Sequence, residues 1–62
     1  MLEYFVVFID LNTNNIHNDL LTHHTIQNSI DIEVLERRLS NKWFGDGRDV
    51  RIVNIVCKKY LK

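Results

Sequence analysis

The sequence predicts one α+β domain over residues 1–62, with elements in the order strand, strand, helix, strand (ββαβ). The expected sheet is three-stranded and antiparallel, in the order 2-1-3, with one helix packed on one face. Three observations lead there. Leu2 to Leu11 is apolar at both parities, Asn28 to Lys42 carries apolar residues at helical spacing, and Val50 to Leu61 is a third run rich in β-branched residues.

The first segment places Tyr4, Val6 and Phe8 on one face and Phe5, Val7 and Ile9 on the other. A run of β-branched and aromatic residues with no polar face reads as a strand covered on both sides. Asn12-Thr13-Asn14-Asn15 follows as a turn, because Asn tolerates the left-handed backbone that hairpins need. Ile16 to Ile26 reads as a second, weaker strand at an edge, with Leu20, Thr22, His24 and Ile26 on one side and Leu21, His23 and Thr25 on the other.

In the helix, Ile32, Leu35, Leu39 and Trp43 form a narrow apolar stripe. Asp31 is the expected N-cap, with Ser29 as its rival and Ile30 stapled to Leu35. Gly45 ends the helix and Asp46-Gly47 turns the chain. In the last strand Val53, Ile55 and Cys57 point one way, and Ile52, Asn54 and Val56 the other. A hairpin followed by a helical crossover brings this strand back beside the first, so the most apolar strand is central.

Composition limits what such a domain does. A chain of 62 residues buries only about 60% of its unfolded surface, which leaves little room for a deep catalytic pocket. A single cysteine excludes an intramolecular disulfide, and there is no CxxC pair for zinc. No stretch reaches the roughly 18 apolar residues of a membrane span, and none has the make-up of a signal peptide, so a cytoplasmic location is expected. The formal net charge of zero conceals two halves of opposite sign. Residues 1–36 hold Glu3, Asp10, Asp19, Asp31, Glu33 and Glu36 with no Lys or Arg, whereas residues 37–62 hold eight bases against Asp46 and Asp49. Either the halves neutralise each other within the fold, or they mark separate partner faces.

Motifs for chemistry are sparse. His17, His23 and His24 lack HxxxH or HExxH spacing, and neighbouring histidines on a strand are expected to point to opposite faces. No metal, cofactor or catalytic residue is therefore expected. Cys57 reads as a buried small hydrophobe. Gly45-Asp46-Gly47-Arg48 lacks the spacing of a phosphate loop and follows a helix instead of opening one.

One helix covers one face of a three-stranded sheet, so a second apolar face is left over, with Phe5, Val7 and Ile9 as its expected oligomer interface. Burying ~400 Å² there at ~25 cal/mol/Å² contributes on the order of 10 kcal/mol before the cost of association. The competing arrangement has the segment Thr13 to Asp19 folding over that face.

Tyr4-Phe5-Val6-Val7-Phe8, Ile30-Asp31-Ile32-Glu33-Val34-Leu35-Glu36 and Val50-Arg51-Ile52-Val53-Asn54-Ile55 together give a pattern that resembles small proteins encoded by phages and prophages of low-GC Gram-positive bacteria. Where such proteins often have a Gly-rich hairpin segment, Asn14 to Thr25 is rich in Asn and His. The resemblance implies a phage accessory protein that acts inside a bacterial cell by binding, and it supplies no catalytic residue. The expected function is a non-enzymatic, homo-oligomeric inhibitor of a bacterial host or anti-phage defence protein. Asp19, Asp31, Glu33, Glu36 and His23 would face that protein, the acids standing in for nucleic-acid phosphates. The alternative is a binder of nucleic acid or a nucleotide signal that uses Arg48, Arg51, Lys58 and Lys59, with Trp43, Phe44 and Tyr60 for stacking.

Overall fold

The structure, a computed structural model, describes the chain as far as residue 60 and side chains as far as residue 58. Strands β1 (Leu2–Asp10) and β2 (Asn15–His23), helix α1 (Ser29–Trp43) and strand β3 (Val50–Tyr60) succeed one another as expected. The sheet order is β2-β1-β3, and both neighbours run antiparallel to the central strand. The lysine-rich end at Lys62 lies outside the described residues.

The two parities of β1 have different fates. Leu2, Tyr4, Val6, Phe8 and Asp10 are buried beneath the helix, whereas Phe5, Val7 and Ile9 are only half-buried on the other side. A four-residue turn joins β1 to β2, with Asn14 in the left-handed region at φ 61° and its N–H donating to the Asp10 carbonyl at 2.7 Å. Pairing begins at once at Asn15, so the segment from Thr13 to Asp19 is mostly strand and leaves the second face bare.

The alternation expected for β3 fails at two points. The register shifts between Val7 and Phe8, where Val53 is an extra residue, and again between Glu3 and Tyr4, where Lys58 is extra. Such bulges re-aim everything beyond them. Ile52 therefore joins the helix side, paired with Phe8, together with Ile55. Cys57 is exposed, not buried, near the end of an edge strand.

The helix cap lies three residues before the expected one. Asn28 is the N-cap, and its side-chain oxygen accepts from the N–H groups of Ile30 and Asp31. Asp31 falls in the first turn, where its Oδ2 accepts from the Gln27 N–H at 2.9 Å. This is the reciprocal logic of a capping box, displaced by one residue. With the cap moved, Ile30 is 64% exposed and staples nothing, while Ile26 packs against the core. Gly45 closes the helix at φ 71° as expected, its N–H donating to the Ser40 carbonyl.

Leu35 and Leu39 are fully buried over Val6 and Phe8, whereas Trp43 leaves the expected core stripe and stands 42% exposed at the rim. Its ring packs edge-on against Phe8 at 5.4 Å and beside His17 at 5.0 Å, while Nε1–H donates to Asp19 at 3.0 Å. An indole whose N–H needs an acceptor is best placed where one end is apolar and the other polar.

Candidate functional site

Two places on this fold are organised beyond what folding alone explains. The first is the sheet face away from the helix. Cross-strand pairing sets Phe5 between Leu20 and Val56, Val7 between Asn18 and Asn54, and Ile9 between Ile16 and Arg51. Directly paired residues share a face, so these three rows form one surface. Leu20 and Val56 are each 48% exposed and Ile16 67%. Phe5, Val7 and Ile9 thus stand together on the uncovered face of the central strand, in an apolar patch interrupted by Asn18 and Asn54 and bounded by Arg51.

The second place is the junction of β2 with α1. His23 is the last residue of β2, and the chain bends at His24, so strand alternation no longer separates the two rings. The rings lie 4.0 Å apart between centroids at 33°. His23 Nε2 is 3.2 Å and His24 Nε2 2.7 Å from the same atom, Asp31 Oδ1. The expectation that the two histidines face opposite ways is therefore overturned. His23 and Asp31 are buried, and the His24 side chain is 64% exposed. The hydrogen bond from Gln27 N–H, then those from His23 and His24, hold the Asp31 carboxyl far below its ordinary range against the opposing effect of burial. The Tyr4 hydroxyl fixes the bend, donating to the His24 carbonyl and accepting from the Ile26 N–H.

Sequence reasoning missed this cluster because it carried the period-2 rule one residue past the strand. The available signal was a His-His pair followed, seven residues after His24, by an acid in the first helical turn. Among the described residues, His23, His24 and Asp31 are the group whose ligand atoms converge, all within 4.8 Å.

The acids expected to face a partner do not form one surface. Asp31 is buried with His23. Asp19 Oδ2 accepts from Lys42 Nζ at 2.7 Å and from the Trp43 indole. Burial pushes the Asp19 pKa up, but the bonds from Lys42, Trp43 and the Leu20 N–H outweigh it and leave the group below its usual value. Glu36 is half-buried and accepts from the Ile52 N–H at 2.8 Å. Glu33 is exposed.

The basic residues are divided in the same way. Arg48 forms a bidentate pair with Asp46, reaches the buried Asp10 at 3.1 Å and lies 4.3 Å over the Phe44 ring. Each of its three guanidinium nitrogens donates within the molecule. Arg51 and Lys58 are exposed, and the side chains of Lys59 and Tyr60 lie outside those described.

Compared with protein-family models, curated proteins and solved structures, the chain finds no match.

Proposed function

We propose that this chain is a non-enzymatic binding protein that self-associates through its open sheet face, centred on Phe5, Val7 and Ile9. The observation that supports the reading is the exposure of Leu20, Val56 and Ile16 around that half-buried row. Soluble monomers rarely leave a contiguous apolar patch of several hundred Å² in water. A second copy across a two-fold axis covers it with the same surface. Asn18 and Asn54 flank Val7, and their amides need partners once water is excluded. Pairing them across the axis selects one register from the many that an all-apolar face allows.

Following the sequence resemblance, the assembly acts as a phage accessory inhibitor in a bacterial cytoplasm, with exposed Glu33 offered to a basic host or defence protein. Absolute mass by light scattering, over roughly a hundredfold range of concentration, tests the self-association on which this reading rests. A dimer or larger particle is expected, and Val7→Lys, which puts a charge at the centre of the face, should reduce it to the 7.4 kDa chain. A wild-type monomer throughout the range, or a Val7→Lys variant as associated as wild type, overturns the proposal.

A further inference from the structure

The junction of β2 and α1 has the composition and spacing of a transition-metal site, and the geometry points to a zinc-class divalent cation held by His23 Nε2, His24 Nε2 and Asp31 Oδ1. This inference is independent of self-association, because the three ligands lie away from the Phe5, Val7 and Ile9 rows.

The donor set comes first. Two imidazoles and one carboxylate suit zinc and its first-row neighbours, whereas calcium and magnesium take oxygen ligands. Spacing comes second. A tetrahedral ion with bonds of about 2.0–2.1 Å places its ligands about 3.3 Å apart. The His23 nitrogen already lies 3.2 Å from Asp31 Oδ1. The His24 nitrogen lies at 2.7 Å and must retreat by about half an ångström, while ligand atoms that now lie within 4.8 Å of one another must draw in to the same spacing. Its largely exposed side chain leaves it free to do so.

Support for the ligands comes third. The carboxylate is anchored by its other oxygen, Oδ2, which accepts from the Gln27 N–H, so Oδ1 stays aimed at the two rings. Fixing a ligating carboxylate through its second oxygen is how metal sites are commonly oriented. Tyr4 clamps the backbone on both sides of Thr25, through the His24 carbonyl and the Ile26 N–H. The ion displaces two hydrogen bonds. Each ring's proton passes from Nε2 to Nδ1 through solvent, and the freed Nε2 lone pair becomes the ligand. Three protein ligands leave a fourth position, which water fills on the open, His24 side.

Bound there, the ion joins the last residue of β2 to the first turn of α1. A small domain without disulfides gains most from such a staple. The metal-free full chain is titrated with Zn²⁺, and with Co²⁺ as a spectroscopic probe. One-to-one binding is expected, with the intense visible bands of four-coordinate cobalt and a zinc-induced rise in Tm on the order of 10 °C near saturation. His24→Ala, at a mostly exposed side chain, should weaken binding by more than the roughly 10- to 100-fold typical of lost outer-shell support, and His17→Ala should leave it unchanged. The wild-type chain provides a second readout that needs no variant. Zinc should move the ring ¹⁵N resonances of His23 and His24 and spare those of His17. Absence of saturable one-to-one binding, binding as tight in His24→Ala as in wild type, or ring shifts confined to His17 each overturns the inference.

Discussion

Asp10 shows what a single side chain contributes at the end of the central strand. It is 1% exposed, yet its carboxylate accepts from the Asn12 N–H at 2.9 Å, the Thr13 hydroxyl at 3.2 Å and Arg48 at 3.1 Å. Burial pushes its pKa up, but the bonds from Asn12, Arg48 and Thr13 outweigh it and leave the group below its usual value. Asp46 is lowered as well, chiefly by its side-chain bonds to Arg48. A carboxyl with a depressed folded-state pKa stabilises the fold fully above its unfolded value, near 3.8, and the contribution is lost as pH falls through the lower folded value. Tm should therefore fall steeply below about pH 4 as these carboxylates are protonated. Asp10→Asn should start from a lower plateau and fall less steeply. A variant whose pH profile is parallel to wild type would show that Asp10 does not carry this dependence. None of this network was legible in the sequence, because an acid at the end of an apolar strand looks like any strand terminus. Only the fold brings Arg48 across from the far side of the helix.

At the scale of the element, what could be read was periodicity, and what could not was the point where periodicity stops. The apolar parity of β1, the turn at Asn14 and the glycine closing α1 all follow from local rules, and the structure bears them out. The bulge at Val53 has no such signature. Val50 to Val56 alternates plausibly in either register, and the choice is made by Phe8, which takes Ile52 as its partner. The helix start was ambiguous for a related reason. Asn28, Ser29 and Asp31 are all capping residues, and the decision came from the histidines, which claim the Asp31 carboxylate and leave Asn28 to serve the first free N–H groups. The assignment separates two substitutions. Asn28→Ala should cost about 1 kcal/mol of stability in urea unfolding, the usual loss for a capping side chain, while Ser29→Ala should be near neutral. Equal costs at the two positions would return the cap to shared occupancy.

For the whole molecule, the opposite charges of the two halves of the sequence meet in two ion pairs. Lys42 with Asp19 and Arg48 with Asp10 each join a base of the later half to an acid of the earlier one. A second imbalance is apolar. Among the described residues, eight buried hydrophobic side chains form the core on one side of the sheet, and Phe5, Val7 and Ile9 on the other side are half-buried. If a second copy supplies the missing layer, unfolding also dissociates, and stability must depend on concentration. With an unfolding entropy of about 2.1 cal/mol/K per residue, a dimer of this 62-residue chain loses order at about 0.26 kcal/mol/K. A hundredfold rise in concentration adds about 2.7 kcal/mol per dimer, so Tm should climb by about 10 °C. Val7→Lys should remove the slope and, because a lysine stem can lie along an apolar face with its amine in water, should match wild type at the lowest concentration. A wild-type Tm that does not move with concentration would mean that the open face stays bare through unfolding, and that the eight-residue core and its buried polar ties hold the monomer together unaided.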